Sequence, residues 1–336
     1  MIRRFLAATA LLLATAVLLV LAWPQLFGAE QWLLVAHVVS LRGLAMAAAG
    51  ILIVVLLLIA LVSPLGRSFA AALALVLVLF VGLNGAVVGS RGLDGGGFET
   101  KGENDLTVLT WNTLGDSPSA DTIAQLILEH DADIVALPET TRELTIEVAE
   151  ILGRNGHPMW AHTFARDEVS KARSTSLLTS ADLGTYSFRD DASPTRQFPT
   201  VVARPDSGVG PTIIAVHAVA PIPQYLDEWR NDLRVLATLC TGNVIMAGDF
   251  NATLDHFASL AGSVDADFGG CRSAAAAAGS GAVGTWPTLL PAFLGAPIDH
   301  VMATDGWRIT GARVIESHDK AGSDHRPVLA QLQPLR

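Results

Sequence analysis

Five short segments place polar side chains at the ends of apolar runs: Trp111-Asn112, Leu137-Pro138-Glu139, Gly248-Asp249-Phe250-Asn251, Ile298-Asp299-His300 and Ser323-Asp324-His325-Arg326-Pro327. Their donors are mostly oxygens: the carboxylates of Glu139, Asp249 and Asp324 and the amides of Asn112 and Asn251. Hard cations such as Mg²⁺ choose oxygen ligands and keep waters. A zinc site would want His or Cys at short spacing, and the chain has no HExxH and no CxxC. A histidine with a carboxylate nearby is a tuned proton donor. These donor types point to a reaction assisted by a hard divalent cation held among carboxylates at strand ends.

Residues 106–336 must position these groups. Apolar runs predict strands at Leu106–Trp111, Asp133–Leu137, Ser176–Thr179, Pro199–Ala203, Thr212–His217, Asn243–Ala247, Ile298–Ala303, Ile309–Ile315 and Val328–Leu332. Helical spacing predicts helices at Ala120–His130, after the start signals Pro118 and Ser119, at Arg142–Leu152 and at Tyr225–Leu239. Helices alternating with buried strands and hairpin-like runs argue for a layered α/β domain. Strand ends are where such domains assemble sites. The alanines at 274–278 and the following GSGAVG read as a flexible loop.

In this order the segments WN, PE, GDFN, IDH and SDHRP resemble the endonuclease/exonuclease/phosphatase superfamily, which holds deoxyribonuclease I, the abasic-site endonucleases, neutral sphingomyelinases and inositol polyphosphate 5-phosphatases. The resemblance implies a deoxyribonuclease I-like α/β sandwich over 106–336. It implies that Glu139 is the principal ligand of Mg²⁺ (Mn²⁺ being the alternative), with Asn112 and Asp324 near the same ion. Asp249 would orient or deprotonate the attacking water, Asn251 would hold the phosphate, and His325 would stabilise the phosphoryl oxygens with Asp299 fixing its tautomer. His217, ending TIIAVH, stands where two branches carry a second catalytic histidine; a packed core histidine is the alternative. Which group is acid and which base stays open. Arg173 and Arg196 are candidate phosphate contacts, against the commoner reading as surface arginines. His300 reads as structural, and His318 and Asp319 as part of the loop before Asp324. Thr285-Trp286-Pro287 resembles a family loop lining the site, though packing explains that Trp equally well. The chain departs from the family in having Pro138 where Gln is usual and Leu114 where abasic-site enzymes carry Asp.

The first ninety residues differ. Phe5–Ala22, Gly43–Val62 and Ser68–Ser90 carry no charge, and each meets or approaches the length of about 20 residues needed to cross a bilayer. A cleaved signal peptide fits the first stretch poorly, because Trp23-Pro24-Gln25 offers no small-residue cleavage site. Gln31–Leu41 is apolar but too short to span, and either extends the second helix or lies at the interface. The reading is therefore three transmembrane helices over 1–90, a Gly-rich linker over 91–105 and a catalytic domain over 106–336. Arg3, Arg4 and Arg67 on one side place the N-terminus in the cytoplasm and the catalytic domain outside, in a multi-pass cell-membrane protein. An oxidising compartment would allow Cys240 and Cys271 to pair.

Residues 106–336 hold 16 Lys and Arg against 27 Asp and Glu, a balance of −11. A protein gripping the nucleic-acid backbone usually offers a basic surface, so DNA is disfavoured as a partner without being excluded. A membrane anchor concentrates an enzyme on a membrane-bound substrate. The combination is similar to membrane-bound bacterial members of the superfamily, including the VanJ-type teicoplanin-resistance proteins. That likeness implies hydrolysis of a lipid-linked phosphate or pyrophosphate such as undecaprenyl pyrophosphate, with the bilayer as partner and no protein partner. The alternatives are a membrane-tethered deoxyribonuclease I-like endonuclease or phosphodiesterase, and a non-catalytic phospholipid sensor.

Overall fold

A computed structural model describes residues 1–94, 97–166, 170–189 and 192–335. The chain forms two compact units, Met1–Ser90 and Arg91–Arg336. Gly95 and Gly96, inside the predicted linker, lie outside the described residues.

The first unit is helical: α1 (Ile2–Ala22), α2 (Leu33–Ser40), α3 (Arg42–Val62) and α4 (Arg67–Arg91). Helices α1, α3 and α4 are long and apolar enough to cross a membrane. The Gln31–Leu41 stretch folds mainly as the separate short helix α2. Small side chains, Ala49, Ala70 and Ala74, let the helices approach around Leu56, Leu77 and Phe80. Arg42 and Asn84 are also buried inside this unit. Arg42 donates to the Ala22 carbonyl at 3.2 Å and to Asn84 Oδ1, and Asn84 returns its amide to the Phe80 carbonyl at 2.9 Å. The arginine thereby satisfies a carbonyl at the end of α1 that has no partner within its helix.

The second unit is a two-sheet sandwich. Its strands are β1 (Leu106–Thr110), β2 (Ile134–Pro138), β3 (Met159–Ala165), β4 (Ser174–Ser180), β5 (Tyr186–Phe188), β6 (Val201–Pro205), β7 (Thr212–His217), β8 (Val244–Asp249), β9 (Cys271–Ser273), β10 (Asp299–Thr304), β11 (Trp307–Val314) and β12 (Val328–Pro334). Its helices are α5 (Ala120–His130), α6 (Arg142–Arg154), α7 (Leu226–Leu239), α8 (Leu254–Phe257) and α9 (Ala274–Ala277). One sheet has the order β11-β12-β1-β2-β4-β3 and the other β5-β6-β7-β8-β10-β9.

Alternation along the strands builds two layers of core. Val108, Ile134 and Ala136 meet Ile213, Ala215, Ile245 and Val301 between the sheets. Leu109, Val135 and Leu137 point to the other face, against Ile123, Ile127 and Val148 of α5 and α6. Helix α5 starts where the Ser119 hydroxyl accepts the Thr122 N–H, and α6 where Thr141 accepts the Leu144 N–H.

The strands absent from the sequence reading, β3, β5 and β9, are all sheet edges. Edge strands bury less, so their apolar pattern is weak; β3 leaves Trp160 exposed. The alanine run is not the flexible loop the sequence suggests. It forms α9, capped by the Ser273 hydroxyl accepting the Ala276 N–H at 3.3 Å, and buries Ala274 in the inter-sheet core. Cys240 and Cys271 form a disulfide with Cα atoms 5.8 Å apart. Phe98 and Glu99 are tied to the sandwich: Glu99 N–H donates to the Thr310 carbonyl, and its carboxylate pairs with Arg308.

Candidate active site

The site forms where β1, β2, β7 and β8 end and β10 begins. Strand register does much of the positioning: His217 on β7 and Asp299 on β10 both pair with Asp249 at the end of β8. Gly248 just before it has φ +149°, and a Cβ there would run into the Val216 carbonyl, so this approach of β8 to β7 requires glycine. Glu139 and Asn251 hold left-handed backbone at φ 59° and 47°. Such strain costs about 1–3 kcal/mol and clusters at functional sites.

An unbroken chain of contacts links the predicted residues. Asp324 Oδ1 lies 4.0 Å from His325 Nε2, which lies 3.9 Å from Asp249 Oδ2. The Asn112 amide donates to Asp249 Oδ2 at 3.0 Å and to Glu139 Oε1 at 3.2 Å. Glu139 Oε1 is 3.8 Å from His217 Nε2. Behind His325, its Nδ1 sits 2.8 Å from Asp299 Oδ2. Asn251 donates through its backbone N–H to Asp249 Oδ1 at 2.7 Å, and through its side-chain amide to the Ala218 carbonyl and Asp249 Oδ2. Its amide therefore clamps Asp249 here, where the sequence reading gave it the phosphate.

Burial sets the protonation states. It raises the Asp249 carboxyl to about 7, and the Asp299 charge pushes the same way. It also raises Glu139, against the Asn112 hydrogen bond. Burial opposes charge on His325, but Asp299, Asp249 and Asp324 outweigh it and raise this imidazole to about 10. His217 Nδ1 is buried with no hydrogen-bond partner among the described residues; burial, then the His325 charge, depress this imidazole to about 3.

The donors fit a divalent cation. The carboxylates of Asp249 and Asp299 lie within 4.8 Å of each other and of His325, so the neighbourhood of Glu139 and Asp324 gathers more acids than cations. Among the described residues, Asp299 Oδ1 and Asp324 Oδ1 are buried oxygens with no hydrogen-bond partner. Buried acid oxygens that crowd one another and lack donors suit a hard cation.

Several residues support the site, Thr285 and Trp286 among them in the segment that the sequence likens to a family loop lining it. Trp286 donates its indole N–H to Asp324 Oδ2 at 2.9 Å. The Thr285 hydroxyl accepts the Asp299 N–H at 3.1 Å. Ser323 donates to the Asn112 carbonyl at 2.6 Å. Phe198 stacks on His217 with ring centroids 4.4 Å apart. Arg326, fully buried, joins Asp319 to the carbonyls of Gly284 and Leu290. Thr285, Trp286, Ser323 and Arg326 lie in the TWP and SDHRP segments, whereas Phe198 lies outside both.

His300 is structural, with Nε2 against the Ala252 carbonyl at 2.8 Å and its ring against Phe250 and Phe257. Arg173 precedes Ser174, whose carbonyl accepts the Glu139 N–H. Arg196 is not brought into the constellation; its exposed guanidinium lies 3.7 Å from Glu228.

The sequence signature of the endonuclease/exonuclease/phosphatase family matches residues 109–325, more than half of the chain and spanning WN to SDH. The chain belongs to the endonuclease/exonuclease/phosphatase family. It is a metal-dependent phosphoester hydrolase by that membership, on a deoxyribonuclease I-like sandwich. Solved structures share this fold. A family member from Beutenbergia cavernae is 17% identical, with TM-score 0.50, covering 69% of this chain and 72% of its own. A humanized D. rerio TDP2 carrying 14 mutations is 17% identical, with TM-score 0.52, covering 69% and 100%. A family member from Leptotrichia buccalis is 13% identical, with TM-score 0.51, covering 68% and 99%. No curated protein matches the chain.

Proposed function

We propose that this protein is a membrane-anchored, Mg²⁺-dependent phosphatase of a lipid-linked phosphate or pyrophosphate, with its catalytic unit on the extracytoplasmic side. The observation that carries this reading is the joining, in one chain, of a complete phosphoesterase site to three helices able to span a membrane. The balance of −11 over residues 106–336 supports a small phosphorylated headgroup over a polyanion.

Attack by water needs a base for its proton and donors for the charge on the phosphoryl oxygens. Asp249 suits the first task. Its carboxyl titrates near neutrality, and the amides of Asn112 and Asn251 hold both oxygens in place. His325 suits the second. Asp299 engages Nδ1, so the Nε2 proton is the one offered between Asp249 and Asp324. His217 is neutral at physiological pH and serves as a hydrogen-bonding group, not as a charge. Glu139, Asn112 and Asp324 would hold the cation, which when bound polarises the phosphate and offsets its charge.

The test is phosphate release from detergent-dispersed undecaprenyl pyrophosphate with Mg²⁺, using His325→Ala as control. Release by the wild type alone is expected. No release from a folded protein that instead cleaves DNA would replace this reading with a tethered nuclease.

A further inference from the structure

Between Arg272 and Asp299 the chain carries no charged side chain for 26 residues. Within that stretch lies the loop Trp286-Pro287-Thr288-Leu289-Leu290-Pro291-Ala292-Phe293-Leu294. Leu289 is 90% exposed and Phe293 58%. Large apolar side chains at such exposure are ordinary when scattered singly, but two within five residues at the mouth of a site mark a contact surface.

This loop is fastened to the site. Trp286 holds Asp324, the Thr288 N–H donates to the Asp324 carbonyl at 2.9 Å, and the Thr288 hydroxyl donates to the Ser323 carbonyl. The buried Arg326 guanidinium holds the carbonyls of Leu290 and Gly284 from behind. The apolar tips are therefore displayed by an anchored backbone. Leu114 adds a third exposed apolar side chain, on the turn whose N–H is held by the Asn112 side chain.

We propose that the 286–294 loop, with Leu114, is a bilayer-contacting rim whose apolar side chains lie among lipid chains at the mouth of the site. The occupant is a lipid surface because the same chain carries three helices long enough to cross one, and because the 286–294 loop offers hydrocarbon without a charged side chain. Such a rim would let a phosphate headgroup reach Asp324 while its lipid tail stays in the membrane. This inference rests on the membrane-anchored reading above, but not on the identity of the substrate.

The test is made on the full chain in vesicles of phosphatidylcholine with brominated acyl chains. Leu289→Trp and Phe293→Trp each add an indole to the seven present, and Val264→Trp serves as control, Val264 being fully exposed on the same unit. Relative to wild type, the indoles added at 289 and 293 should emit at shorter wavelength and be quenched by bromolipid. The one at 264 should be quenched by aqueous acrylamide only. Acrylamide quenching at 289 and 293 equal to that at 264, with no bromolipid quenching, overturns the rim. Bromolipid quenching in a protein that releases no phosphate from lipid pyrophosphate overturns the substrate reading and leaves the rim standing.

Discussion

The helical unit and the sandwich use the same apolar residues in opposite ways. In the helices, Leu12, Ile51, Leu61 and Val62 are turned outward, while Arg42 and Asn84 are enclosed. In the sandwich, Val108, Leu109 and Ile134 are sealed inside, and the enclosed polar residues Asn112, His217, Asp249, Asp299 and His325 stand together at one end of β1, β7, β8 and β10. The lesson concerns the medium. Apolar atoms facing out need a hydrocarbon surround, and a polar pair facing in acts as glue between helices. Buried polar atoms in a water-soluble layer are costly and mark chemistry.

The comparison is broken most directly at the site. His325→Ala should lower kcat by about 10³-fold, the scale of removing a preorganised donor to transition-state charge, with circular dichroism unchanged. A folded variant with full turnover would mean that the enclosed polar atoms of the sandwich are structural, as Arg42 and Asn84 are. The next largest effect separates the two media. Leu52 lies at the centre of α3 and Val264 on the sandwich surface, and both are exposed. Leu52→Arg should disfavour insertion of α3 by about 3 kcal/mol in a microsomal insertion assay. Val264→Arg should leave the thermal midpoint of the purified protein where it was. Equal tolerance at both positions would remove the case for a bilayer around the helices.

Much of this was legible in the sequence, for identifiable reasons. Strands β1, β2, β7 and β8 lie inside the sheets, so their residues form continuous apolar runs, and polar residues at the ends of those runs stand out. Asn112, Glu139, Asp249, Asp299, Asp324 and His325 were read that way and fall into one connected constellation. What escaped depends on contacts between distant segments. Trp286 was read in a segment lining the site, but its bond to Asp324 across 38 positions was not, nor was the Arg42–Asn84 bond across 42. No periodicity reports such pairs. Arg196 stands apart from the constellation, with its guanidinium 3.7 Å from Glu228, in keeping with the commoner reading of it as a surface arginine.

The smallest effect tests how the buried acids of the sandwich set one another. Burial raises Asp249 to about 7 with the Asp299 charge pushing the same way, and Asp299 leads the acids that hold His325 at about 10. His325 acts protonated, so its contribution is complete below its pKa and is lost as pH rises through about 10. Asp249 acts ionised, so its contribution appears as pH rises through about 7. The wild-type rate should therefore rise near pH 7 and fall near pH 10. Asp299→Asn removes one negative charge from the neighbourhood of both groups, which favours neutral imidazole and ionised carboxylate. Both limbs should move to lower pH, the alkaline limb by about 1–2 units, with kcat at neutrality changed less than by His325→Ala. A pH profile of kcat/KM measures this. Movement of neither limb would show that Asp299 only holds the His325 ring in place. Movement of the alkaline limb alone would assign its charge to His325 and detach Asp249 from the pair.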